Sequence, residues 1–310
     1  MKKKGTQPQK KGIPNILYGY SDEEVIETFA LVTGASSGIG RAIAEELAKK
    51  GINLILVALP NTGIEVIEET LSLAYNIKVY SFCLDLTDSE APYMLFDACK
   101  SKNIHLSILV NNAGFGNLEL FEDSDLNELQ QMMALNNGAL VSLTHLFTPL
   151  LKESGEAYIL NVGSLASVFK IPYKAVYSAT KSFVYSFSAA LRLELESSNI
   201  SVSCLCPGST LTSPRVRDIL KRTSGKNTLF LQTPEAVAKT AIRKLFKRQF
   251  KIVPGFHNRL LLGVSQILPE AITDKLLMKL FKPKPLAKAQ LIILSGKNYG
   301  SLTALSLANR

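Results

Sequence analysis

Between residues 29 and 206 the chain alternates short apolar runs with amphipathic stretches of helix length, which leaves few folds open. Residues 29–33, 53–59, 78–84, 106–110, 157–162 and 200–206 read as strands covered on both faces, because each is a nearly unbroken apolar run. Between them, residues 41–50, 64–73, 92–101, 125–151 and 173–197 read as helices, the fourth broken near Gly138. A helix at 234–247 and a final strand at 249–253 extend the pattern. The alternation predicts an α/β fold: a doubly wound, Rossmann-type parallel sheet with helices on both faces and right-handed crossovers. Ser21-Asp22-Glu23-Glu24 carries the chemistry of a helix cap and predicts a short helix there.

This pattern divides the chain into a flexible basic arm at 1–20 and one nucleotide-binding domain at 21–253, which includes a substrate lid at 209–233. An apolar and basic helical extension follows at 254–285, and then a tail at 286–310 whose order the sequence leaves open. With 46% hydrophobic and 20% charged residues, the 310-residue chain has a globular composition. The net charge of +9 gathers in Lys2, Lys3, Lys4, Lys10, Lys11 and the stretch 243–251. Such charge suits an anionic phosphate or membrane, or simply a solvated tail. No interleaving of aromatic and basic residues points to nucleic acid. Four cysteines without a CxxC pair, and three histidines, predict a reducing compartment and no metal site. Cys204 and Cys206 fall on one side of a strand and read as small buried hydrophobes. The basic start lacks a signal peptide's apolar segment, and no charge-free apolar run is long enough to span a bilayer. A cytoplasmic protein is expected, with peripheral membrane contact left open.

Two clusters carry chemistry. Thr33-Gly34-Ala35-Ser36-Ser37-Gly38-Ile39-Gly40 joins the first strong strand to a helix that begins with Arg41. Its glycines allow a tight turn and close backbone approach, so that a pyrophosphate can sit at the positive end of the helix. The Lys-Ser/Thr of a P-loop is missing. Asp85 and Leu86 follow the third strand, where Asp85 could accept from an adenine amine or act as an ordinary loop aspartate. Asn112, Ala113 and Gly114 follow the fourth strand. The second strand ends Val57-Ala58-Leu59-Pro60 without the acid that grips the NAD ribose, which favours NADP(H) over NAD(H). The second cluster is Tyr177 and Lys181, four apart on one helical face, where an ammonium could stabilise a phenolate.

Taken together and in order, these motifs resemble the classical short-chain dehydrogenase/reductase family over residues 28–212, nearest its 3-oxoacyl and hydroxysteroid dehydrogenase-like branch. Ser164 stands 28 residues after Asn136 and 13 before Tyr177, which is the family's spacing. The resemblance implies a seven-stranded sheet and a catalytic tetrad of Asn136, Ser164, Tyr177 and Lys181. In it Tyr177 exchanges a proton with the substrate oxygen and Ser164 orients that oxygen. Lys181 holds the nicotinamide ribose and lowers the Tyr177 pKa, and Asn136 fixes a water. Pro207, Gly208, Thr210 and Thr212 would border the nicotinamide, and the subunits would pair through the long helices as a homodimer or homotetramer.

The implied activity is reversible NAD(P)(H)-dependent hydride transfer at a ketone or secondary alcohol, on a small-molecule substrate that is lipid-like. Alternatives are a polar or sugar carbonyl reductase, a nucleotide-sugar epimerase or dehydratase, and a non-catalytic nucleotide sensor. Arg215, Arg217, Lys221, Arg222 and Lys226 make the lid basic, with a short helix expected at 214–221. Residues 260–280 predict two short amphipathic helices separated by Pro269. They could line a substrate tunnel, lie on a membrane, cover the sheet or join subunits.

Overall fold

The β-branched and aromatic run Val25-Ile-Glu-Thr-Phe-Ala-Leu-Val-Thr33 forms an interior strand of the sheet in the computed structural model. The structure describes residues 18–21, 24–212, 231–265 and 267–281. The strands are β1 (Tyr18–Ser21), β2 (Glu24–Thr33), β3 (Asn53–Ala58), β4 (Val79–Cys83), β5 (His105–Asn111), β6 (Ala157–Val162), β7 (Ile200–Leu205) and β8 (Lys251–Ile252). Their order is β4-β3-β2-β5-β6-β7-β8, every neighbouring pair in it parallel. This is the expected doubly wound sheet of seven strands. The order reverses at β2, so a crevice opens between the ends of β2 and β5.

The helices are α1 (Gly38–Ala48), α2 (Ile64–Tyr75), α3 (Ala91–Ser101), α4 (Leu126–Met133), α5 (Leu140–Glu153), α6 (Ala175–Glu194), α7 (Pro234–Leu245), α8 (Phe256–Ser265) and α9 (Glu270–Phe281). On one face Ile43, Leu47, Ile64, Val237 and Ile242 pack against Val32, Leu54 and Leu56. On the other, Leu95, Leu143 and Phe147 pack against Leu31, Ile55 and Leu109. Side chains so fully buried each stabilise the fold by about 1.5–3 kcal/mol. A third cluster joins Leu140, Leu165 and Val184 to Leu262 and Leu277, so α8 and α9 pack onto the nucleotide-binding body.

Several boundaries differ from the sequence reading. Ser21 and Glu24 do not cap a helix; they pair with each other in an antiparallel β1–β2 ladder. The strand propensity that begins at Val25 overrides the capping chemistry. The break expected near Gly138 in the 125–151 helix is present, as a wide π turn at Ala134–Ala139 between α4 and α5. Helix α6 begins at Ala175 rather than 173 because Tyr173 bends into left-handed backbone, φ 64°. The last strand contracts to two residues. The basic arm at 1–17, the lid's cationic core at 213–230 and the tail at 282–310 lie outside the described residues. No described helix is long and apolar enough to cross a membrane, and no group of three or more potential metal ligands occurs among the described residues.

Candidate active site

Both ends of the site are built by chain segments that leave parallel strands. After β2, Gly34 (φ 64°) and Gly38 (φ 56°) take left-handed backbone that other residues resist. A methyl group at Gly40 would lie 2.2 Å from the Gly34 carbonyl oxygen and 2.4 Å from Asn112 Nδ2, so the turn closes on itself without room for a side chain. Asn112 locks it from β5: its Nδ2 donates to the Thr33 and Gly34 carbonyl oxygens at 2.8 and 3.2 Å. Thr33 Oγ1 accepts from the Asn112 and Ala113 amides, both at 2.9 Å. Ser37 stands at the N-cap of α1 without a side-chain capping bond, so the leading amides face outward at the helix's positive end. That donor set, in a cradle that any Cβ would fill, fits a dinucleotide pyrophosphate.

The other expected nucleotide contacts are distributed around this turn. Arg41 Nε donates to Glu45 Oε1 at 3.1 Å, so its guanidinium is already paired within α1. Asp85 Oδ1 accepts from the Thr87 amide and hydroxyl at 2.9 and 2.8 Å, the behaviour of a loop aspartate, while Leu86 beside it is buried. Thr212 lies against the glycine turn, 3.0 Å from where a Gly38 Cβ would sit. The Pro207 carbonyl accepts from the Leu165 amide at 2.9 Å. Thr210 Oγ1 donates to the Gly208 carbonyl at 3.0 Å, and Thr210 bridges Gln232, tying the lid's two ends together. The position where Gly208 lacks a side chain is filled by the Asn258 amide, whose Nδ2 also donates to Gln232 Oε1 at 2.9 Å. The sequence reading did not single out Asn258.

The tetrad residues converge from three directions. Ser164 leaves β6 and caps a short 3-10 turn (Leu165–Ser167), with its Oγ accepting from the Ala166 amide at 3.1 Å. Tyr177, on the first turn of α6, stands beside Ser164, close enough for the serine hydroxyl to act on its pKa. One turn further, Lys181 is almost fully buried and its Nζ donates to the Val162 carbonyl at 2.8 Å. The π turn points Asn136 inward. Its Oδ1 accepts from the Phe115 amide at 3.0 Å, and its Nδ2 donates to the Phe115 carbonyl and Thr180 Oγ1 at 2.9 and 3.0 Å. Gly114 sits between Asn136 Oδ1 and Lys181 Nζ, 2.7 and 3.5 Å from where its Cβ would be. Gly116, which the sequence reading passed over, lies flat against Tyr177: a Cβ there would be 2.3 Å from Tyr177 Cδ2. The Ala-Gly-Phe-Gly spacing was the available signal.

The Asn136 side-chain amide gives its hydrogens to Phe115 and Thr180 and so holds the 113–116 loop. One expected effect changes with this geometry. The Tyr177 pKa is not lowered. Burial pushes it up, and the neighbouring Ser164 hydroxyl pulls in the opposite direction as the smaller effect. Lys181 Nζ stands 6.0 Å from the Tyr177 ring centroid and is committed to Val162, with burial depressing it to about 8. At neutral pH Tyr177 is therefore a protonated phenol, able to give a proton to an oxygen held between it and Ser164.

Behind the tetrad, Asn111 Nδ2 donates to Thr144 Oγ1 and Asn161 Oδ1, each at 2.9 Å. Asn161 Nδ2 donates onward to Ser188 Oγ at 2.9 Å. Cys204 and Cys206 are fully buried beside this chain, their sulfurs 3.9 Å apart, on one side of β7 as expected.

Comparison with known proteins agrees with this geometry. The sequence family described as short chain dehydrogenase matches residues 28–221. A very-long-chain 3-oxoacyl-CoA reductase of Neurospora crassa is 32% identical over 222 residues, covering 70% of this chain and 64% of that protein. The chain thus matches less than two thirds of that relative's length. Sulfoacetaldehyde reductase 2 of Chromohalobacter salexigens is 35% identical over 184 residues, 59% of this chain and 72% of that one. Among solved structures, a 7beta-hydroxysteroid dehydrogenase superposes with a TM-score of 0.71 at 19% identity, over 82% of this chain and 96% of its own.

Proposed function

The chain belongs to the short-chain dehydrogenase family, and from that premise we propose that it reduces the ketone of a 3-oxoacyl compound with a reduced nicotinamide dinucleotide. The observation that carries the reading is Tyr177 set beside Ser164, one helical turn from the buried Lys181 held at Val162, and next to the glycine-turn cradle. When bound, the nicotinamide supplies the hydride. Everything else falls to the protein. Ser164 and Tyr177 hydrogen-bond the carbonyl oxygen and polarise it, and the protonated phenol passes its proton to the oxygen as negative charge develops there. The ammonium of Lys181, fixed at Val162, stands on the same helical face to offset the phenolate left behind. Asn136 holds the 113–116 loop, whose Gly116 fixes the plane of the tyrosine ring.

Preference for NADP(H) is supported by the end of β3, where Ala58-Leu59-Pro60 offers no carboxylate to the ribose hydroxyls. An acyl substrate is supported by the name of the 3-oxoacyl-CoA reductase relative and by α8 and α9. Those helices expose Phe256, Leu260, Val264 and Ile272, and α8 carries Asn258, which is hydrogen-bonded to Gln232. Contact with a membrane surface and pairing of subunits through exposed Val141, Phe183 and Leu193 belong to the same proposal. The test is loss of NADPH and NADH absorbance against acyl, steroid and sugar ketones, with Tyr177→Phe as control. Turnover of 3-oxoacyl thioesters is expected, reduced by about 10²–10⁴ in the variant with nucleotide affinity kept. Activity on sugars alone, or near-normal turnover in the variant, would refute it.

A further inference from the structure

Three lysines, Lys170, Lys174 and Lys181, lie in the stretch that leads into and through the first turns of α6, and two of them are already engaged. Lys170 pairs with Glu270, and Lys181 donates to the Val162 carbonyl. The third, Lys174, stands one turn before Tyr177, with its Nζ 5.3 Å from the tyrosine ring centroid. It is half-buried and takes part in no ion pair among the described residues. Burial alone lowers its pKa, with no carboxylate opposing the shift. A cation withdrawn from water and left without a counter-charge is costly unless something else meets it.

The backbone holds Lys174 there deliberately. Tyr173 just before it is in left-handed backbone, φ 64°, a conformation costly for a non-glycine residue. That bend is pinned by the Glu119 amide, which donates to the Tyr173 carbonyl at 2.9 Å. The loop that makes this bond also carries Gly116, packed on the Tyr177 ring. The strained bend therefore sets Lys174 at the N-cap of α6 just before Tyr177 on its first turn, while Lys181 lies one turn further along the helix.

We propose that Lys174 binds a second, negatively polarised oxygen carried on the substrate close to the reacting carbonyl, as in a 3-oxoacyl thioester or a 3-oxo acid. This rests on the hydride-transfer reading above and narrows it to substrates with two neighbouring oxygen functions. Tyr177 and Ser164 take the oxygen that is reduced, and the Lys174 ammonium takes the other. A ketone lacking the second oxygen leaves the ammonium unpartnered and is discriminated against.

The test compares wild type, Lys174→Met and Lys174→Arg on three substrates of matched chain length: a 3-oxoacyl thioester of N-acetylcysteamine, the free 3-oxo acid, and the methyl ketone. The readout is the ratio of kcat/KM for each oxygenated substrate to that for the methyl ketone. A charged hydrogen bond predicts that the ratio falls about 10–100-fold in Lys174→Met and is largely recovered in Lys174→Arg. A fall for the thioester alone assigns the thioester carbonyl as the partner, and a fall for the acid alone assigns the carboxylate. An unmoved ratio, or equal losses on all three substrates, overturns the proposal. Calorimetric binding of the matching 3-hydroxy acid to the NADP⁺-saturated protein separates the two readings. If wild type reduces none of the ketones, the hydride-transfer reading fails. In that case 3-hydroxy acid binding at least about tenfold weaker in Lys174→Met still supports the contact, and equal binding overturns it.

Discussion

Replacing the buried lysine of the tetrad should make the protein more stable while stopping its chemistry. Lys181 is almost wholly enclosed, and burial lowers its pKa from 10.5 to about 8. At about 1.4 kcal/mol per pH unit that gap corresponds to about 3 kcal/mol of destabilisation when the side chain is charged in both folded and unfolded chains. Lys181→Met removes the charge and keeps most of the volume, but leaves the Val162 carbonyl without its 2.8 Å donor, a loss of about 1–2 kcal/mol. The net gain is about 1–2 kcal/mol near pH 7, a rise in Tm of roughly 4 °C for a domain of this size.

The pH dependence has a definite sign. Below about 8 both states hold the proton and the deficit is complete. As pH rises from about 8 to 10.5, the folded protein sheds the proton before the unfolded chain does, and wild type gains stability. The variant's advantage should therefore be largest at pH 7, shrink above 8 and reverse near 10, when only the lost hydrogen bond remains. Because the chain has no tryptophan, thermal unfolding of both proteins is best followed by circular dichroism across this range. Groups remote from Lys181 titrate in both proteins and cancel in the difference, whereas the Cys204 and Cys206 thiols feel the Lys181 charge and do not. A stability difference that is flat with pH, or a wild type more stable at pH 7, would refute the reasoning.

Two substitutions probe the close backbone contacts. Gly40→Ala would place a methyl 2.2 Å from the Gly34 carbonyl and force the turn open, so nucleotide affinity measured by calorimetry should fall at least about tenfold, with about 1–3 kcal/mol lost on unfolding. Gly116→Ala would press on Tyr177 Cδ2 from 2.3 Å and tilt the phenol; kcat should drop about 10–100-fold while NADPH affinity, read by fluorescence, stays within a few-fold.

The sheet was legible because its strands are covered on both faces and so are written as unbroken apolar runs, and Tyr177 with Lys181 because four positions make one helical turn; Ser164 and Asn136 were picked out only by resemblance to the family's spacing. The β1–β2 ladder was not, since Ser21 and Glu24 carry local capping chemistry that only pairing across the chain overrides. The Asn112 lock on Thr33 and Gly34 and the pressure of Gly116 on Tyr177 join residues 61 or more positions apart, a distance no local pattern encodes. The Tyr177 ionisation was misread for a related reason. The sequence places a lysine one turn away but does not say that its hydrogen bond goes to Val162, or that burial outweighs it. Lys174 shows neither its strained approach at Tyr173 nor its missing counter-ion until the chain is folded.

The wide turn at Ala134–Ala139 separates the rotational phase of two helices that share one axis. An α-helix advances about 100° per residue, so an uninterrupted rod from Leu126 to Glu153 would bind every face of its second half to the faces of its first. With a looser turn between them, Leu129 and Met132 on α4 and Leu143, Phe147 and Leu151 on α5 can each meet their own neighbours. Substitutions that reshape the surface of α4 need not rotate α5 against the sheet, nor displace Asn136 from the joint between them. Asn136 thus sits at a swivel between the two helices.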